Sequence, residues 1–416
     1  MACFRIEGGA RLSGTVRVDG AKNAALPACI AALLTDETVI LHRVPQLRDV
    51  STILYTLGAL GARVVRHGDH VAISAGQMLS AEADAYSVRQ MRASFLVLAP
   101  LVARLGRAVV PLPGGCAIGR RPIDLHLDGL RALGARVEER NGLVEVTADR
   151  LVGARIELSY PSVGATEQIL MGASLAKGET VIGNAAIEPE VEDLIGLLRR
   201  MGATIDRDGR TIRVEGVRAL YGAEHELIPD RMEAGTFLLA GAIGGGDVTV
   251  EGARGDHLAS FLEALESTGA RLDIVSDSVT VREATRPGPV EISTAPHPGF
   301  PTDLHPPFVA YLARAVGTSR LREAVFEDRF AYVDALCEMG ARIVRSGREL
   351  MITGVDALRG RSVASTDIRA GAALVLAGLS AEGTTDVTQL EHIDRGYAAL
   401  DEKLRALGAR IERRDA

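Results

Sequence analysis

The sequence predicts an α/β protein of two domains, each an inside-out barrel of three repeats with buried helices at the centre and sheets around them. Three observations carry this reading. The pattern L-x-x-(L/M/T)-G-A, followed by a hydrophobic strand, occurs six times, with its glycine at Gly61, Gly134, Gly202, Gly269, Gly340 and Gly408, spaced 67 to 73 residues apart. Self-similarity of this kind marks a repeat architecture. A second segment also occurs six times, at 21–41, 91–112, 162–182, 231–250, 303–321 and 367–387: a polar entry, an apolar helix, a glycine-centred break and a Thr/Val-rich strand. Its helix is apolar on nearly every face, the pattern of a helix buried all round. Finally, 416 residues suffice for two full cores.

Taken in order, the chain opens with two strands, FRIEGG (4–9) and LSGTVRVDG (12–20), that no helix precedes. It closes on RIERR (410–414), a strand without a second strand of its own. Pairing the first with the last puts residues 1–20 and 230–416 in one domain and residues 21–229 in the other. Within a repeat, the L-x-x-x-G-A helix stops at its glycine, a natural residue just past a helix C-terminus. A strand follows, then a polar turn (Arg66–Asp69, Glu139–Gly142, Asp206–Gly209), then a second strand (71–74, 143–148, 211–216). These helices carry charge on one side and are expected to cover a sheet.

The chain is 47% apolar but only 4% aromatic, with no Trp, so Ala, Leu, Val and Ile must fill the cores. A net charge of −7 argues against nucleic acid as a partner. No apolar run is long enough to span a bilayer and no signal peptide is visible, which predicts a cytoplasmic protein with no membrane partner. Cys3, Cys29, Cys116 and Cys337 show no C-x-x-C or paired His/Cys spacing, so neither a disulfide nor a metal site is expected. Cys29 and Cys337 lie in apolar helical patterns and read as buried hydrophobes. Lysine occurs only at Lys22, Lys177 and Lys403.

The stretch Pro111–His126, PLPGGCAIGRRPIDLH, differs from everything around it. Prolines stop regular structure, Gly114 and Gly115 loosen the backbone, and Pro122 suits the first position of a helix continuing from Ile123. One thiol, Cys116, is thereby carried on a mobile loop beside Arg120 and Arg121, the setting that makes a thiol exposed and acidic. A surface turn with an incidental cysteine would have the same turn chemistry, but polar, flexible sequence gives that cysteine no packing role.

Several stretches resemble the UDP-N-acetylglucosamine enolpyruvyl transferase (1-carboxyvinyltransferase) family: GAKNAALP (20–27), MRAS (91–94), LPGGCAIGRRPIDLH (112–126), SVGAT (162–166), EPE (188–190), PDRMEAGTF (229–237), TAPHPGFPTD (294–303), FEDRF (326–330), TDIRA (366–370) and HIDRGY (392–397). The resemblance covers essentially the whole chain. It implies the enolpyruvyl transferase fold, with the active site in the cleft between the domains. It also implies transfer of the enolpyruvyl group of phosphoenolpyruvate to the 3-hydroxyl of UDP-N-acetylglucosamine, with release of phosphate and no cofactor, by a monomer acting on two small substrates. By resemblance, Cys116 is the acid that protonates phosphoenolpyruvate and the thiol that fosfomycin alkylates, and Asp303 is the base for the sugar hydroxyl. A helix N-cap is the other reading of Asp303. Lys22, Arg92, Arg121, Arg369 and Arg395 then supply cations for polyanionic ligands, and Asn23 hydrogen-bonds substrate. The nucleotide falls to Arg121, Pro122, Ile123, Asp124, Leu125 and His126 with Ser162, Val163 and Gly164, and Val325 and Arg329 complete the set. His126 could instead be a helix-face residue without a ligand. Asp49 and Glu188 are placed near the cleft.

Three departures from the family pattern touch the nucleotide pocket or its margins: Tyr160 for a frequent lysine, Leu96 for a frequent tryptophan, and Pro306–Pro307 where a glutamine-rich helix start is usual. They leave open a specialised paralogue acting on another uridine nucleotide, such as UMP. The shikimate-pathway sister enzyme lacks the Cys116 loop, and a catalytically dead scaffold would not need Lys22, Cys116, Asp303 and Arg395 together. Limited alkylation read by mass spectrometry should label Cys116 before Cys3, Cys29 and Cys337. Preferential labelling of any other thiol would remove the case for an activated Cys116.

Overall fold

A computed structural model describes residues 2–76, 80–112, 123–282 and 285–414. Cys116, Arg120, Arg121 and Pro122 therefore lie outside the described residues. The chain divides into two compact units, one holding the described residues up to Asp19 and from Pro229 onward, the other those from Gly20 to Ile228.

Each unit is built on three helices that are buried almost all round. In Lys22–Ala31 every residue except Asn23 is buried, and in His305–Leu312 every residue is. Val163–Ser174, Arg231–Gly244 and Ile368–Ser380 are buried along nearly their whole length. The remaining one is shorter, Leu98–Leu105, entered through a 3₁₀ turn at Arg92–Val97. The L-x-x-x-G-A helices are one-sided, as their sequences predict: Arg48–Ala59 buries Val50, Ile53 and Leu57 and leaves Tyr55 and Gly58 outside.

One sheet plan recurs. Thr38–His42 follows the first buried helix and pairs antiparallel with His70–Ser74, which pairs with Arg63–His67; Ala223–Glu226 adds a parallel edge. The same order is built around Glu179–Gly183, Val248–Glu251 and Thr318–Arg322. Hairpin turns are tighter than the sequence suggests, because the strands run on to leave two residues. Asn141 and Gly142, at φ 53° and 76°, make such a turn, the positive-φ geometry that matches strand twist.

The last sheet shows how the chain closes. Cys3–Glu7 lies between Thr384–Thr388 and Arg410–Arg414, antiparallel to both, and so supplies the strand the sixth repeat lacks. Alternation fixes its register. Phe4 and Ile6 are fully buried, while Arg5 turns out to pair with Asp386 at 2.7 and 2.8 Å.

The first unit's core holds an aromatic cluster, with the rings of Phe261, Phe300 and Phe308 5.3 to 6.1 Å apart. Cys29 is buried as expected, and burial pushes its thiol up to about 12. Cys337 is not: it is exposed on the helix Tyr332–Glu338, which turns Tyr332, Val333 and Leu336 inward. Its apolar neighbours misled the sequence reading, because it sits one residue past the inward stripe.

Two glycines test this packing. A Cβ on Gly58 meets nothing within 4 Å, so Gly58→Ala should stabilise the protein by about 0.5–1 kcal/mol. A Cβ on Gly371 would lie 2.4 Å from Ile393 Cγ1 and 2.6 Å from Ser365 Oγ, so Gly371→Ala should cost about 1–3 kcal/mol. Thermal unfolding of the two variants should move in opposite directions.

Candidate active site

In the unit formed by both ends of the chain, charge gathers where buried helices begin. Asp303 does not cap a helix; it sits in a 3₁₀ turn, Thr302–Leu304, that leads into His305–Leu312. Its Oδ1 lies 2.8 Å from Arg329 Nη1, and its Oδ2 accepts from Arg369 Nη2 at 2.9 Å and Nε at 3.1 Å. Arg369 follows Asp367, the N-cap of Ile368–Ser380, whose carboxylate accepts from the backbone N–H of Arg369 and Ala370. The guanidinium also donates to the Tyr397 hydroxyl at 3.0 Å, which contacts Thr236 Oγ1 at 2.9 Å. Burial works against this charge, but Tyr397, Asp303 and Asp230 outweigh it and hold Arg369 above its ordinary range. Arg395, half-buried, lies in the turn that precedes Tyr397.

Arg329 and Val325 ride on the loop after the strand Thr318–Arg322. That loop is fastened by Glu323, which is fully buried. Glu323 Oε1 accepts from Thr294 Oγ1 at 2.8 Å and from the backbone N–H of Val325 and Phe326 at 2.8 and 2.9 Å. Its Oε2 accepts from Thr302 Oγ1 at 2.8 Å and lies 3.0 Å from His305 Nδ1. Burial raises the carboxyl, yet His305, the Phe326 amide and Thr302 outweigh that and draw it down to about 2. Burial in turn pushes His305 down.

In the other unit, Lys22 opens the first buried helix and its Nζ lies 3.5 Å from Asp49 Oδ2. Asn23 beside it is exposed, and Arg92 is half-buried at the start of its 3₁₀ turn. His126, on the helix Asp124–Ala132, is buried edge-on to Phe95 at 5.8 Å, with Nδ1 3.3 Å from Gln168 Oε1. A Cβ on Gly164 would come within 2.8 Å of His126 Cε1, so the imidazole rests on bare backbone there. The structure thereby brings His126 together with Ser162, Val163 and Gly164. Ser162 Oγ caps that helix, accepting from the Ala165 N–H at 3.4 Å. Ile123 and Leu125 are half-buried and Asp124 exposed; the helix begins at Asp124, one residue later than expected. Glu188 acts on the helix Val163–Ser174: burial, with the charges of Glu190 and Glu188, raises Glu167 well above the carboxylate range. Tyr160 is exposed and Leu96 is buried in the core. Among the described residues no three His, Cys, Asp or Glu side chains could hold a metal ion, and no helix is long and apolar enough to cross a membrane.

Sequence reasoning passed over Glu323 and His305. Tyr397 was noticed only as the end of a motif. Nothing in a strand end such as LREAV distinguishes a buried glutamate from a solvated one.

Comparison with known proteins agrees with this architecture. A sequence model of the family described as EPSP synthase (3-phosphoshikimate 1-carboxyvinyltransferase) matches residues 6–404. Among solved structures, the enolpyruvyl transferase NikO from Streptomyces tendae is 28% identical, with a TM-score of 0.89 over 99% of this chain and 98% of that one. EPSP synthase from Acinetobacter baumannii, 19% identical with a TM-score of 0.79 over the full length of both chains, shares the fold. These likenesses define an enolpyruvyl transferase. Relatives include UDP-N-acetylglucosamine 1-carboxyvinyltransferase 2 of Carboxydothermus hydrogenoformans, 51% identical over 99% of both chains, and UDP-N-acetylglucosamine 1-carboxyvinyltransferase 1 of Staphylococcus aureus, 49% identical over 98% of both. The chain belongs to the UDP-N-acetylglucosamine 1-carboxyvinyltransferase family.

Glu323 sets a pH dependence. Its carboxyl sits near 2 in the folded protein against 4.5 as a free group, so its contribution is complete above about 4.5 and lost as pH falls towards 2. The shift corresponds to about 3 kcal/mol. Denaturant unfolding between pH 5 and 2 should therefore be shallower in Glu323→Gln than in wild type, by up to that amount.

Proposed function

We propose that the protein transfers the enolpyruvyl group of phosphoenolpyruvate to the 3-hydroxyl of UDP-N-acetylglucosamine and releases inorganic phosphate, the first committed step of peptidoglycan synthesis. The observation that carries this reading is identity near one half along the full length of relatives bearing that name. The arrangement of Asp303 supports it, since a carboxylate held at both oxygens by buried arginines is fixed in place yet keeps lone pairs to accept a hydroxyl proton.

In the proposed reaction Cys116 gives its proton to C3 of phosphoenolpyruvate while C2 gains positive character. The sugar hydroxyl oxygen bonds to C2 and its proton passes to Asp303. The Cys116 thiolate then takes a proton back from C3, the freed electron pair forms the C2–C3 double bond, the C2–O bond to phosphate breaks, and phosphate departs with the electron pair of that bond. Lys22, Arg92, Arg121, Arg369 and Arg395 meet the negative charge of the two ligands. Arg329 Nε is buried without a hydrogen-bond partner among the described residues, which suits a further contact to an anion. The uridine nucleotide is assigned to residues 121–126 and 162–164. The enzyme is proposed to act as a cytoplasmic monomer, with Cys116 as the fosfomycin target.

Phosphate release should be followed with phosphoenolpyruvate and UDP-N-acetylglucosamine, UDP-glucose or UMP. UDP-N-acetylglucosamine should give the highest kcat/KM; faster turnover of UMP would make this a specialised paralogue. Asp303→Asn should lower kcat by about 10²–10⁴-fold and spare nucleotide affinity. A variant that loses affinity and keeps its rate would make Asp303 a binding residue.

A further inference from the structure

The Glu323 carboxylate and the His305 imidazole, both fully buried, do no work in the reaction just described. His305 Nδ1 lies 3.0 Å from Glu323 Oε2 and its Nε2 is 2.8 Å from the Tyr332 hydroxyl. A neutral ring with its proton on Nδ1 turns that proton towards the carboxylate, a polar contact whose angle falls short of a hydrogen bond, and leaves Nε2 to accept from the phenol. The rings of Phe330 and Tyr332 lie edge-on to it at 5.6 Å each and exclude water.

Such a pair is a poor means of stabilising a fold. Two polar groups taken fully out of water recover little more than their desolvation cost, and well-packed apolar side chains of the same volume often do better. What sets this pair apart is where it leads. From Glu323 Oε2 the chain runs through Thr302 Oγ1 at 2.8 Å to Arg329 Nη1 at 2.9 Å, and from there to Asp303 Oδ1 at 2.8 Å. Through Oε1 the same carboxylate holds the amides of Val325 and Phe326, fixing the start of the loop that carries Arg329. His305 sits two residues after Asp303 and clamps the carboxylate from the helix side.

We propose that His305 and Glu323 are positioning residues for the Asp303–Arg329 pair, locking the loop 323–329 against the turn Thr302–Leu304 so that the base and its guanidinium partner keep one separation. This rests on the reading of Asp303 as the catalytic base. Neither residue touches substrate. Displacing a catalytic group by about 1 Å can cost around 100-fold in rate.

The double variant His305→Leu/Glu323→Met removes both polar partners and leaves the site filled. It leaves the Thr294 and Thr302 hydroxyls and the Val325 and Phe326 amides without their acceptor, so it should lower Tm. It should also lower kcat by about 10- to 100-fold and change KM for UDP-N-acetylglucosamine by less than about threefold. His305→Gln, whose amide can still donate to Glu323, should keep kcat within about threefold of wild type. A double variant with wild-type kcat, whatever its Tm, would overturn the proposal. So would His305→Gln losing as much rate as the double variant. If the double variant fails to fold, Thr302→Val breaks the link to Arg329 alone, and unchanged kcat there would overturn it equally. A wild-type enzyme that turns over no uridine nucleotide would fail before any variant is compared, and would sink the functional reading itself.

Discussion

A helix buried on every side can carry charge only at its ends, and the chemistry of this protein follows from that constraint. In Lys22–Ala31 and Ile368–Ser380 the apolar residues leave no outward face for an ionised group. Lys22, Arg231 and Arg369 accordingly stand in the first turn of their helices, where unpaired backbone N–H groups also favour anions. The two effects compound. A buried guanidinium needs a carboxylate nearby, and Asp303 and the N-cap aspartates Asp230 and Asp367 supply it at the same level of the molecule.

The same economy governs the rare lysines. Lys403 is not one of the candidate catalytic groups, yet its ammonium reaches Glu233 at 2.6 Å and Asp19 at 2.9 Å. The Glu233 carboxylate also accepts from the Asp19 backbone N–H, and burial, only partly offset by Lys403, pushes its carboxyl up to about 7. Asp19 is the last residue before the chain passes into the other unit. Lys403 thus ties down the point of departure, with three rotatable donors on a compact head that suit two carboxylates meeting at an angle.

Much of the architecture could be read from the sequence, because it rests on periodicity. The L-x-x-x-G-A glycines and the all-apolar helices both repeat, and a repeated signal survives local noise. The positions of Asp49 beside Lys22 and of Gly164 beneath His126 depend on how separate repeats stack, which periodicity does not report. Two things were not legible. Cys337 differs from a buried cysteine only by one step around a helix. Glu323 and His305 meet across 18 residues of sequence with nothing in their neighbours to announce burial; what identifies them is four hydrogen-bond donors and an imidazole converging on one carboxylate, which exists only after folding.

The strand Cys3–Glu7, held between Thr384–Thr388 and Arg410–Arg414, carries a consequence for how the molecule is made. A ribosome delivers every residue of the Gly20–Ile228 unit as one uninterrupted length, so that unit can close on itself while synthesis continues. The opening strand must wait, with Phe4 and Ile6 uncovered, until nearly 400 further residues have been added. For most of its synthesis the nascent chain therefore lacks the two strands that flank Cys3–Glu7 in the folded sheet, and the last of them completes it.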